Sequence, residues 1–142
     1  MDNLAPLGIT GNATTGISAQ FFVTGRPIPQ GSLKFINGHA IHVRAQDLAL
    51  WRADIARVAR LSHVTKAEED VEITITFVLT KPKSVKRNTP HIRPDLDKLI
   101  RAVLDGLTGV AYEDDGQVTK LIAQKQYGNN EGVWIQIGRA HV

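Results

Sequence analysis

The chain predicts an α+β fold: a single domain with a mixed β-sheet and two helices packed on it. Three observations carry that expectation. Residues 71–79, VEITITFVL, place Val71, Ile73, Ile75, Phe77 and Leu79 on one face at period two, with the β-branched content of a strand. Two stretches, near 45–63 and 95–107, repeat their large apolar residues at the spacing of an amphipathic helix. The elements run strand, hairpin, helix, strand, helix, strand, strand, an order that suits helices laid on one sheet. At 142 residues one domain is the default, and a chain of that size buries roughly 70% of the surface it exposes when unfolded.

Residues 1–18 are small, polar and without periodicity, so a flexible tail is expected ahead of a folded domain at 19–142. AQFFVTG (19–25) reads as a short strand, and RPIPQGS, with two prolines and a glycine, as an irregular loop. LKFINGHAIHV (33–43) sets Asn37-Gly38 between apolar runs, a hairpin signal. From Ala45 to about His63, Leu48, Trp51, Ile55, Val58 and Leu61 step by three or four, which makes a helix with Trp51 in the core. TKPKSVKRNTPHIRP (80–94) holds three prolines and is a loop. Pro94 drives Arg93 to extended geometry, so the second helix starts only after it, at about Asp95, and runs to Leu107. Leu99, Val103 and Leu107 form its apolar stripe with Ile100 and Leu104 beside them, and Thr108-Gly109 closes it. QVTKLIAQKQY and GVWIQIG read as two strands joined by GNNE.

Composition narrows the function classes. A hydrophobic fraction of 42% and a charged fraction of 22% are those of an ordinary globular protein. The absence of cysteine excludes a disulfide framework and cysteine-ligated zinc, and fits a reducing compartment. No apolar run reaches the roughly 18 residues of a membrane span. No basic-then-apolar leader opens the chain, and a soluble intracellular protein is expected. The five histidines, His39, His42, His63, His91 and His141, are scattered without metal-site spacing. Trp134 alternates with apolar neighbours and is expected to face outward, at a dimer contact or stacked on a base.

One segment concentrates the chemistry. RPDLDKLIRAVLDGLTGVAYEDD, residues 93–115, holds six acidic residues, five of them in two clusters at its ends. Asp97, Arg101 and Asp105 are four apart and share a helix face. A helix of about 13 residues is roughly 20 Å long, and the residues from Leu107 to Asp115 span that length when extended. The chain is thus able to return along the helix and bring Asp115 beside Asp95 and Asp97. Three carboxylates together repel unless a cation sits among them, and hard oxygen donors suit Mg²⁺ or Mn²⁺. The plain alternative makes Asp95 a helix cap, Asp97 a partner of the helix dipole, and Glu113-Asp114-Asp115 a solvated turn. An EF-hand calcium loop is excluded, because Leu99 and Ile100 stand where an oxygen ligand and a glycine are required.

Basic residues crowd the same region. Lys81, Lys83, Lys86, Arg87, Arg93, Lys98 and Arg101 oppose only Asp95 and Asp97, which makes residues 81–101 +5. With a total of +3, the rest of the chain is then −2. Acids that hold a cation, flanked by bases that bind phosphates, are what phosphodiester cleavage asks for.

Residues 93–125, RPDLDKLIRAVLDGLTGVAYEDDGQVTKLIAQK, resemble the signature region of the RusA family of Holliday junction resolvases. That pattern is D-L-D-(N/K)-L, a basic residue two further on, DAL or DGL, then DD-x-Q-V and a later lysine. PIPQGSLKF resembles, more loosely, the first strand and loop of many phage members. The resemblance implies a homodimeric, Mg²⁺-dependent endodeoxyribonuclease, with Mn²⁺ able to substitute, that makes paired symmetric cuts in four-way DNA. It also implies a phage or prophage origin and work in the cytoplasm of a bacterial or phage-infected cell. The catalytic, metal-binding acids of the family fall on Asp95, Asp97 and Asp115; whether Asp114 joins them stays open. The family's helix lysine falls on Arg101, a departure. Arginine keeps the charge and clamps a phosphate but is a poor proton donor. Lys98 stands where many members carry asparagine, and Lys125 matches the lysine of the following strand and is expected to face the scissile phosphate. Lys81, Lys83, Lys86, Arg87, Arg93 and Lys98 are expected on the DNA. Two other readings keep the fold: a nuclease of flaps or other branched DNA, and a junction-binding protein without catalysis.

Overall fold

The computed structural model of the protein describes residues 17–31, 33–42 and 45–139. Along the chain come β1 (Ile17–Thr24), β2 (Leu33–Ile36), β3 (His39–His42), α1 (Ala45–Leu61), β4 (Val71–Leu79), α2 (Leu96–Leu107), β5 (Val118–Tyr127) and β6 (Gly132–Arg139). This is the expected α+β order. β1 begins two residues early, at Ile17; residues 1–16 of the expected tail lie outside the described residues. No helix among the described residues is long and apolar enough to cross a membrane.

The sheet is mixed, in the order β1-β6-β4-β5. β6 lies antiparallel to both β1 and β4, while β4 and β5 run parallel. β2 and β3 form a separate hairpin. Its Asn37-Gly38 turn has φ of 52° and 81°, the double positive φ that suits the twist of a two-residue hairpin. A parallel pair cannot close by a tight turn, so the chain must cross back over the sheet between β4 and β5. Loop 80–94 and α2 make that crossing. α2 therefore begins near the C-terminal ends of the parallel strands and finishes near their starts.

The alternation of β4 has its expected result: Val71, Ile73, Ile75, Phe77 and Leu79 are all buried. The first four meet Phe21 and Val23 of β1, Val133 and Ile135 of β6, and the helix residues Trp51, Ile55, Leu99 and Val103 in one core. α1 crosses α2 at Gly106, where a Cβ would lie 3.2 Å from both the Arg52 carbonyl and the Ile55 Cβ. The missing side chain is what lets the helices approach. α1 stops at Leu61, short of His63. His63 takes φ 61°, and the Val64 amide turns back to the Ala59 carbonyl at 3.1 Å, a left-handed closure that usually uses glycine.

Two ties hold loop 25–31 on the helices. The Gln30 amide donates to the Lys98 carbonyl at 3.0 Å. Arg52 of α1 donates to the Gln30 side chain and lies 3.5 Å from Asp105 of α2. Beyond α2 the chain tucks Tyr112 fully inside, its hydroxyl donating to the Leu104 carbonyl at 2.7 Å. Burial pushes the Tyr112 phenol well above its ordinary value, and the nearby Asp115 and Asp105 carboxylates add to the rise.

Candidate active site

The site is built on the first two turns of α2. Asp95 is the residue before the helix, extended at φ −71° and ψ 137°, and its carbonyl accepts the Leu99 amide at 3.1 Å. Its carboxylate makes no capping bond; the nearest cation is Lys98 Nζ at 4.0 Å. Asp97 is exposed in the first turn, and its carboxylate has no hydrogen-bond or ion-pair partner among the described residues. The capping explanation thus accounts for neither side chain's hydrogen bonding, although both sit where the helix N-terminus favours negative charge.

One turn along the same face, Arg101 Nη1 lies 3.1 Å from Asp115 Oδ2. Asp115 opens a 3-10 turn, Asp115–Gln117, that leads into β5. The sequence arranges this turn through its neighbours. Asp114 Oδ1 accepts the Gly116 amide at 2.8 Å. Gln117 Oε1 accepts the amides of Glu113 and Asp114 at 2.9 and 3.1 Å, completing a capping box. Gln117 Nε2 donates to the carbonyls of Ala67 and Glu69 at 3.0 and 2.8 Å. Asp114 is committed to the turn and Asp115 is presented to α2.

The sequence reading expected Asp115 beside both Asp95 and Asp97. Instead Asp115 rests on Arg101, and among the described residues no group of three histidine, cysteine or acidic side chains gathers closely enough to hold a metal ion. The topology explains the difference. Val118, at the start of β5, pairs with Val71 at the start of β4, whereas Asp95 lies toward the other end of the parallel strands. Charge explains the rest, because an exposed carboxylate takes the nearest guanidinium before it approaches two further carboxylates. The donor chemistry still fits a hard divalent cation: three carboxylates, one without a partner among the described residues and none deeply buried.

Lys125, expected to face a phosphate, points its Nζ at the carbonyls of Ile92 and Pro94, 2.9 Å from each. It clamps the loop that delivers Asp95 to the helix. Of the basic loop, Lys81, Lys83, Lys86 and Arg93 are exposed, and Lys98 is half-buried. Arg87 is half-buried too, with Nη1 shielded and unpaired. Lys81 Nζ stands 6.0 Å from the Tyr127 ring centroid, at the limit of a cation–π contact. Trp51 is buried as expected. Trp134 is half-buried, its ring 5.1 Å from Phe22 in a tilted pair.

Two contributors carry roles that the sequence does not assign, Gln117 and Arg52. Gln117 is the glutamine of the DD-x-Q-V pattern, but nothing local gives it a role, since its partners lie about fifty positions away. Arg52 stands on the polar flank of an amphipathic helix and reads as solvated.

Comparison with known proteins follows the same region. A family model described as endodeoxyribonuclease RusA matches residues 24–138. The uncharacterized protein YqaN of Bacillus subtilis (strain 168) aligns at 25% identity over 133 residues, covering 83% of this chain and 94% of that protein.

Proposed function

Because the chain belongs to the RusA endodeoxyribonuclease family, we propose that it is a Mg²⁺-dependent nuclease that resolves four-way DNA junctions by paired, symmetric hydrolysis of phosphodiester bonds. The observation that carries the reading is the charge along α2. Asp95 just before the helix and Asp97 in its first turn are exposed, and Arg101 on the next turn is paired to Asp115 at 3.1 Å. Nothing in the packing of the helix requires these side chains, since its apolar stripe is complete without them.

Asp95, Asp97 and Asp115 would hold the cation, which would supply polarisation of the phosphate and a water acidified for in-line attack; Mn²⁺ meets the same donors. Asp115 would have to leave Arg101 and close toward the start of α2 to join such a set, which would free the guanidinium for the phosphate. Arg101 then offers its fixed fork of N–H donors to the non-bridging oxygens, where charge builds in the transition state. Lys125 acts through the backbone, holding the Ile92 and Pro94 carbonyls so that Asp95 enters the helix at a fixed angle. Lys81, Lys83, Lys86, Arg93 and Lys98 bind flanking phosphates and set register without reading sequence. Arg87, half-buried with Nη1 shielded, has only part of its guanidinium to offer a phosphate. A homodimer supplies one site for each of the two matched cuts, since a twofold protein fits a symmetric junction.

The Arg101–Asp115 pair also suits a second reading, a junction-binding protein without catalysis, in which the pair is purely structural. Comparing four-way junction, flap and linear duplex as substrates, in Mg²⁺ and in Mn²⁺, separates the readings. Paired symmetric cuts in the junction, with duplex left intact, are expected. Preferential cutting of flaps would make the protein a general branched-DNA nuclease, and junction binding without cleavage in either metal would make it a binder.

A further inference from the structure

Beside the site, between loop 25–31 and loop 80–94, lies a cleft of about 600 Å³ that the carboxylate chemistry does not use. Pro27 and Pro29 form one wall; Pro82, Pro90, Ile92 and Pro94 form the other. Leu79 and Tyr127 close its base at the C-terminal ends of the two parallel strands. Such strand ends are a usual place for a ligand, and the volume is within the roughly 300–1,000 Å³ of small-molecule sites.

Both walls are fixed in advance. The Gln30 amide ties the first wall to the Lys98 carbonyl at 3.0 Å. Lys125 ties the second at Ile92 and Pro94, 2.9 Å each. Glu131 ties the ends of β1 and β4 together, accepting the Gly25 amide on its carbonyl at 3.1 Å and the Thr80 amide on its carboxylate at 3.3 Å. A cleft fixed in this way loses little entropy on filling.

The chemistry of the lining is divided. The walls are apolar and rigid, and the base carries one phenol ring. The rim carries two bases: Arg93, exposed without a partner among the described residues, and Lys98, whose Nζ lies 4.0 Å from Asp95. Glu131, which also lines the cleft, is already matched by Arg26 at 3.8 Å. Asp95 lines the cleft at its catalytic end. An apolar slot with an aromatic face takes a planar group, and a basic rim takes the phosphates attached to it.

We propose that this cleft receives one unstacked nucleotide of the bound DNA, its base between the proline walls against Tyr127 and its phosphates on Arg93 and Lys98, so that the neighbouring phosphodiester lies at Asp95. The inference rests on the junction-binding reading above. A base within a continuous duplex cannot enter a slot walled on two sides, whereas a branch-point base is already less stacked and is displaced at lower cost.

The test uses the full chain and synthetic four-way junctions carrying 5-iodouracil at one branch nucleotide at a time, bound in EDTA and irradiated. A cross-link from one branch position to Tyr127, mapped by mass spectrometry, is expected. Ile92→Trp fills the cleft from a side chain that is 50% exposed, so the fold and melting temperature stay those of the wild type. That variant should lose the cross-link and bind the junction roughly tenfold more weakly, the worth of one base–aromatic stack. A junction that is bound and cut with no cross-link at Tyr127, or an Ile92→Trp protein that keeps the cross-link, overturns the cleft proposal alone. Failure to bind junction in preference to duplex overturns both it and the reading on which it rests.

Discussion

Replacing Lys125 by Met tests whether that residue acts on the DNA or on the protein. Methionine keeps most of the stem and removes the ammonium, which donates to the Ile92 and Pro94 carbonyls at 2.9 Å each. A hydrogen bond with a charged partner contributes roughly 1.5–3 kcal/mol, but water replaces part of that at the exposed Ile92 carbonyl, which leaves a net loss of about 2 kcal/mol. In a domain of this size that lowers Tm by roughly 4–10 °C. The loss is centred on the segment entering α2, so amide exchange over residues 95–99 should quicken more than exchange in β4. The salt dependence of junction binding discriminates further. A lysine on a phosphate contributes close to one unit to the slope of log affinity against log salt, whereas one bound to carbonyls contributes nothing. The expected result is a lower melting temperature, slower cleavage and an unchanged slope. An unchanged melting temperature with a slope shallower by about one would refute the positioning role and place Lys125 on the phosphate.

Gln117→Ala removes two donor and two acceptor contacts around the Asp114–Asp115 turn, so urea unfolding should show a loss of about 2 kcal/mol, together with slower cleavage. Arg101→Met breaks an exposed ion pair and should change stability by less than about 1 kcal/mol. Its cleavage rate should nevertheless fall by about a hundredfold or more, as for other lost oxyanion donors. Tyr112→Phe should lose about 1 kcal/mol near neutral pH, with the bond to Leu104. Its pH dependence follows from the raised phenol: the stabilising contribution is whole below about pH 10, where an unfolded tyrosine begins to ionise, and fades as pH rises toward the folded value. The gap between wild type and variant should therefore narrow in urea titrations above pH 10; a constant gap would mean the phenol is not held neutral.

Where the determinants are local, the sequence speaks clearly. β4 alternates because one face is core, α2 shows its stripe because one side packs on the sheet, and Asn37-Gly38 supplies the two positive φ values its hairpin needs. What stays hidden is long-range. No periodicity places β6 between β1 and β4, although that order sets the parallel β4–β5 pair and thus the crossing that positions α2. α1 ends two residues early because His63 adopts a conformation that usually advertises itself by glycine. The site divides in the same way. Asp95, Asp97 and Arg101 are legible from helical spacing, and Asp115 from chain reach. Its actual partner is not, because reach sets a limit and the direction of α2 decides where within that limit the turn falls. Lys125 reads as one more cation; only the fold shows the two carbonyls, more than thirty positions earlier, that it holds.

Cleavage of a synthetic four-way junction in Mg²⁺ by wild type and Asp97→Asn side by side, with binding measured for both, tests whether the acids of α2 are catalytic. Asp97 is exposed and has no partner among the described residues, so its amide is tolerated by the fold. Paired symmetric nicks by the wild type, lost in Asp97→Asn while binding persists, are expected. Tight binding by both proteins with no cleavage by either, in Mn²⁺ as well as Mg²⁺, would contradict a catalytic role and leave the acids of α2 as surface charge on a junction-binding protein.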